Sequence, residues 1–192
     1  MTEHNTLTGS DLHEPKGAST ATSGSVYVSN GAGSGAWEET IGSIHGDAAI
    51  IGNATATAVT IAADSTLSTD SDYNKVVAGW SLPYSSGVTL NTDELVMSVA
   101  GTYLITFWAT VKIPLINNFI GIKYSINDTA PYSDRKVVSQ SKSSNDIVNM
   151  SASGIVSSLA VNDTLSMYIA GTKTDNLVVQ EAGLTVLLLH EA

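Results

Sequence analysis

The chain has 192 residues, no cysteine, and a formal net charge of −10 from 8 basic and 18 acidic side chains. Without cysteine there is no disulfide to staple the fold and no thiolate to ligate a metal or attack a substrate. A lone arginine, Arg135, in so acidic a chain excludes the clustered cations that a phosphate backbone demands, so no nucleic-acid partner is expected. No run approaches the roughly 18 apolar residues of a membrane-spanning helix, and no membrane partner is expected. The start, Met1 to Asn5, is polar and acidic rather than basic then apolar. It does not read as a secretory signal, so synthesis in a cytoplasm is expected.

Residues 1–47 stand apart from the remainder. They hold 8 of the 16 glycines, one base (Lys16) and six acids. Such a stretch buries too little apolar area to offset its chain entropy alone, and it reads as an extended N-terminal arm. Within it, Leu12, His13, Glu14, Pro15 and Lys16 form a short shaped peptide, because Pro15 fixes its own φ and biases Glu14 to an extended backbone. Further on, Ser25–Ser29, a turn rich in glycine from Asn30 to Gly35, and Ala36 to Glu38 read as a small β-hairpin. An isolated two-stranded hairpin is marginal in water. Its Tyr27 and Trp37 are therefore expected to anchor the arm on a partner or a sister subunit.

Residues 48–192 have the texture of one all-β domain. Thr57–Ile61 reads as its first strand, followed by a polar loop carrying Asp64, Asp70 and Asp72. Residues 75–80 and 88–90 are short strand candidates around Pro83 and Gly87. Residues 94–99 precede the clearest strand, 101–113, with so short a connection that a tight hairpin is expected. In 101–113, Tyr103, Ile105, Phe107, Ala109, Val111 and Ile113 alternate with Leu104, Thr106, Trp108, Thr110 and Lys112. That period of two puts the first set on a core. Ile120, Ile122, Tyr124 and Ile126 repeat the pattern. Residues 147–159 form a long strand with a bulge or bend expected at Gly154. Residues 164–169, 177–180 and 184–189 close the chain. About ten short strands without a convincing helix predict a sandwich or barrel.

The last segment is apolar on both faces. Leu184, Val186 and Leu188 point one way; Leu187 and Leu189 point the other. An exposed leucine forgoes roughly 1.5–3 kcal/mol relative to burial. A subunit interface including Leu184, Leu187, Leu189 and the outward Trp108 is therefore expected.

Chemistry finds little purchase. Gly31, Gly33 and Ala36 fit a relaxed dinucleotide fingerprint, yet no helix or βαβ unit follows, so they read as a turn. His4, His13, His45 and His190 are scattered, with no spacing that closes a metal site within one element. The aspartates at 64, 70 and 72 lack the EF-hand pattern and read as a solvated loop. Trp80, Trp108 and Tyr84 are read as packing rather than as a sugar platform. No serine has a visible base. No catalytic residue, metal or cofactor is expected.

Two resemblances add to this reading. Gly101, Tyr103, Ile105 and Phe107, the later run from Ser153 to Leu159, then Asn162, Asp163 and Leu165 and the apolar last strand, resemble the tumour-necrosis-factor-like jelly rolls. That family includes the globular heads of complement-type proteins. It usually has glycine before the aspartate where Asn162 stands, and asparagine also tolerates positive φ. The resemblance covers about residues 55–190 and implies an all-β jelly-roll sandwich that forms a homotrimer about a threefold axis. The arm, from Asp11 to Gly17 and then Val26, Tyr27, Val28, Gly31, Gly33, Gly35 and Trp37, is similar to an N-terminal segment of tailed-bacteriophage virion proteins. There it attaches a fibre or knob to the particle. Together the two imply a phage structural protein of the capsid surface, a decoration (cement) protein touching the major capsid protein. The alternative they allow is a short head or tail fibre that binds a receptor on the host surface.

Overall fold

The computed structural model describes residues 21, 25–29, 32, 35–39, 44–50, 57–61, 67, 72–77, 79–129 and 136–192. The chain divides into two compact units, Met1–Gly42 and Ser43–Ala192. Within the first, β1 (Ser25–Ser29) and β2 (Gly35–Glu39) form an antiparallel pair in which Tyr27 opposes Trp37 and Val28 opposes Ala36. This is the hairpin expected from the sequence.

The second unit is built of two antiparallel sheets. One contains β9 (Gly101–Ile113) at its middle. Its order is β12 (Asp146–Leu159), β9, β14 (Asp175–Glu191), β3 (His45–Ile50) and β6 (Ser81–Ser86), with β4 (Thr57–Ile61) also on β14. The other sheet has the order β11 (Val137–Gln140), β10 (Phe119–Ile126), β13 (Thr164–Gly171), β8 (Glu94–Met97) and β7 (Val88–Asn91). Here β5 (Asn74–Lys75) flanks β13. From β8 onward the chain passes repeatedly from one sheet to the other, which is the winding of a jelly roll. Among the described residues every regular element is a strand.

The core follows from the period of two. Tyr103, Ile105, Phe107, Ala109, Val111 and Ile113 of β9 are buried, while the residues between them are half-exposed. Ile120, Ile122 and Tyr124 meet them from the facing sheet, with Phe107 and Tyr124 edge to face at 5.6 Å between ring centroids. Such a pair adds about 0.5–1.5 kcal/mol beyond its buried area.

Four sequence expectations change. Residues 94–99 and 101–113 do not pair as a hairpin: β8 lies in one sheet and β9 in the other. The link is an arch, tied by the Tyr103 hydroxyl donating to the Val99 carbonyl at 2.7 Å. The sandwich starts before Thr57, because His45–Ile50 pairs with β14, and so the boundary between the two units falls ahead of residue 47. Gly154 sits in regular register opposite Ile105; the irregularity lies between Val156 and Leu159, where Ser158 has φ 63°. Residues 177–180 and 184–189 belong to one strand, β14, with a bulge between Val179 and Glu181.

Candidate interaction surface

The outward face of the β9 sheet is organised in cross-strand rows. One row runs Ile155, Leu104, Leu187 and His45, contributed by β12, β9, β14 and β3. The next runs Ser153, Thr106, Thr185, Asp47 and Tyr84, ending on the edge strand β6. The third runs Ser151, Trp108, Gly183 and Ala49. An apolar row, a polar row and an aromatic row thus lie side by side.

Four of the five side chains in the polar row pair within it. Thr106 and Ser153 share a hydrogen bond between hydroxyls at 2.9 Å, and the Thr185 hydroxyl donates to Asp47 at 2.9 Å. One step along, the Thr110 hydroxyl donates to the Asn149 side-chain oxygen at 2.8 Å. Polar groups already paired within the sheet can be covered by a partner at low desolvation cost. The apolar row has no such internal closure. Ile155 is 57% exposed, Ile147 on the same strand 52% and Leu189 49%. Leu104 and Leu187, directly opposite one another, are half-buried. Covering each large aliphatic side chain would gain roughly 1.5–3 kcal/mol at most.

Trp108 is seated by the absence of a side chain. A Cβ on Gly183 would stand 2.1 Å from the indole nitrogen of Trp108, so the ring lies flat across Gly183 on the neighbouring strand. That contact holds the indole against the sheet and leaves it half-buried. The surface it presents is flat enough to be covered by a second protein surface.

The residues expected at the interface therefore separate. Leu187 and Trp108 lie on the outward face, and Leu189 is exposed next to the bulge between Leu188 and His190. Leu184 does not join them: it opposes Phe107, points into the sandwich and is 2% exposed. Side-chain alternation along β14 sends it to the face opposite Leu187. Ile147, Ile155 and Leu104 were missed, although the alternation of 147–155 places both isoleucines on one face. Trp80 packs against the core, and its N–H donates to the Val76 carbonyl at 2.9 Å. Tyr84 is 71% exposed.

On the hairpin, Tyr27 and Trp37 meet edge to face at 5.4 Å between centroids and are half-buried. Leu12, His13, Glu14, Pro15 and Lys16 lie outside the described residues, as do His4, Asp64 and Asp70. Among the described residues, no three His, Asp or Glu side chains gather to hold a metal.

A second polar cluster lies on the β10 sheet. The Lys75 ammonium bridges Glu94 and Asp128, at 2.7 Å from the latter. Asp128 also accepts from the Ser166 hydroxyl at 2.6 Å and the Tyr168 hydroxyl at 3.0 Å. Partial burial opposes the charge on Asp128. The hydrogen bonds from Lys75, Ser166 and Tyr168 outweigh it and hold the carboxyl well below the usual carboxylate range. Burial likewise opposes the charge on Lys75, and its two carboxylate partners reverse the effect and push it up. The cluster pins the turn after β10 to β13 and β5.

No protein-family profile matches the sequence, and no curated protein does. Solved structures do. The Eiger TNF of S. frugiperda is 14% identical, with 78% of this chain and 94% of that one covered and a TM-score of 0.52. The globular domain of zebrafish complement 1qA is 10% identical over 78% of this chain and 99% of that one, with a TM-score of 0.50. Vertex protein P5 of PRD1 is 14% identical over 88% of this chain and 83% of that one, also at 0.50. At such identities the likeness is one of fold: this chain is a jelly roll of the tumour-necrosis-factor and complement-head type.

Proposed function

We propose that the protein is a non-enzymatic virion component, a homotrimeric decoration protein of a phage capsid, anchored by its N-terminal arm. The observation that carries the reading is the row Ile155, Leu104 and Leu187 on the outward face of the β9 sheet. In a lone sandwich that face is wet, which leaves Ile155 exposed and Leu104 and Leu187 only half-buried. Three copies turned toward a common axis cover them. The likeness in fold to a vertex protein and to the tumour-necrosis-factor and complement heads supports this reading. So does the resemblance of the arm to virion attachment segments. Tyr27 and Trp37 serve as aromatic anchors, the residue types that dominate interface energetics. Three arms per trimer multiply a weak contact into firm attachment to the major capsid protein or another shell component. The chain is made in the host cytoplasm and ends on the capsid surface.

Locating and counting this chain on purified particles tests the assignment. Many trimers distributed over the head are expected. A handful confined to the tail would instead favour the fibre that binds a host receptor, and absence from particles would overturn both.

A further inference from the structure

The outward face of the β9 sheet continues past the three rows described above, toward the Ile113 end of β9. A fourth row runs Asn149, Thr110 and Glu181, and a fifth runs Ile147, Lys112 and Val178. Lys112 is half-buried, with Ile147, 52% exposed, opposite it on one side and half-buried Val178 on the other. Glu181 is exposed one row away on the neighbouring strand, while Ala182 beside it is buried, so Glu181 shares the face of Lys112.

Lys112 is the only lysine or arginine in the six described strands of this sheet. The carboxylates of the same strands are otherwise engaged or remote. Asp47 accepts from the Thr185 hydroxyl, Asp146 from the backbone N–H of Lys142 and Asp175 from that of Asn176. Glu191 opposes Gly101 at the far end of β9. Glu181 remains, and it forms no ion pair with Lys112 in the same chain: among the described residues, both ion pairs are those of Lys75. A partner that covers this face takes both charges out of water. An ammonium or a carboxylate desolvated without a counter-charge is strongly unfavourable. The partner must therefore bring an anion to Lys112 and a cation to Glu181, one row apart, or roughly 7 Å along the strands. A second copy of this chain presents that pattern. A threefold axis running along the strands keeps each row at its own level in every copy, so Glu181 of one copy arrives beside Lys112 of the next. The contact repeats three times, closes the ring and leaves neither sign over.

We infer that Lys112 of each subunit pairs with Glu181 of its neighbour, and that these three ion pairs set the register in which the sandwiches meet. The pairing rests on the trimeric reading above. The apolar row of Ile155, Leu104 and Leu187 supplies the burial, and the charges four and three rows away select one alignment over its shifted alternatives.

Charge reversal in the full chain tests the pairing. Lys112→Glu and Glu181→Lys, made separately, each set like charges against one another at all three contacts. At low ionic strength each single variant should need at least about tenfold more protein than the parent for half-assembly, read by sedimentation velocity. Circular dichroism should show both folded as the parent is. The double variant should assemble like the parent. An equimolar mixture of the two single variants should also recover trimers, because opposite charges then meet at two of the three contacts. A pair made inside one chain gains nothing from mixing, since each single variant keeps like charges within its own chain. Single variants that assemble like the parent overturn the pairing and leave the trimeric reading standing. Weakened variants that mixing fails to restore overturn the pairing as well. A parent protein that stays monomeric overturns both.

Discussion

Gly183 and Trp108 show how one missing methyl shapes a surface. The indole occupies the space above Gly183, so Gly183→Ala forces the ring off the sheet or the strands apart. Crowding of this kind costs about 1–3 kcal/mol. Urea unfolding should shift by that amount, and tryptophan emission should move to longer wavelength as the indole meets water. Unchanged stability with an unchanged spectrum would show that the ring does not rest on Gly183. Asp128 makes a different statement, about pH. Its folded pKa lies below its unfolded value, so its contribution is complete above the unfolded value of about 3.9 and is lost as pH falls through the range beneath it. Asp128→Asn should be less stable than the parent at pH 7, and the gap should narrow steadily below about pH 4. Two thermal-midpoint curves running parallel down to pH 2 would contradict the assigned role. Neither residue stood out in the sequence. Gly183 is one glycine among many, and Asp128 owes its environment to Lys75, Ser166 and Tyr168, partners far away along the chain.

At the scale of the strand, β14 does two jobs with adjacent side chains. Leu184 fills the core against Phe107, while Leu187 faces outward opposite Leu104. Leu184→Ala should therefore destabilise the sandwich by about 2–5 kcal/mol, the range for emptying a packed core site. Leu187→Asp should leave the unfolding of the isolated sandwich nearly unchanged and abolish its assembly. Circular dichroism on heating and sedimentation velocity separate the two effects, and an assembled Leu187→Asp variant would remove this row from the interface. The same strand shows where sequence is legible. Alternation told which leucines share a face, but the face that meets the core is fixed only by pairing with β9. Strand β3 went unrecognised because its small residues, Gly46, Ala48 and Ala49, carry little hydrophobic signal. Strand β6 was hidden by Pro83, which is tolerated because the strand lies at the edge of its sheet. The arch between β8 and β9 resembled a hairpin because loop length alone does not say which sheet receives the next strand.

For the whole molecule, the all-β class was legible from strand spacing and the absence of helical periodicity, and the hairpin from two short strand candidates joined by a glycine-rich stretch. Composition sets residues 1–47 apart, while β3, His45–Ile50, pairs within the sandwich and the two compact units divide after Gly42. The surroundings of the outward face of the β9 sheet were not legible, since a half-polar strand face looks alike beside water and beside another subunit. If the leader attaches and the sandwich assembles, the two functions are separable. Removing residues 1–42 should give a folded trimer that no longer binds purified particles in a pelleting assay. Particles that still carry the truncated chain would assign attachment to the sandwich.

The central claim is that three sandwiches close on one another through the row Ile155, Leu104 and Leu187, and the mass of the intact protein in solution tests it most directly. Light scattering of the full chain should give three times the 19.9 kDa of a single copy, falling to one copy in Leu187→Asp. A full-length chain that stays at 19.9 kDa across the accessible concentration range would contradict it.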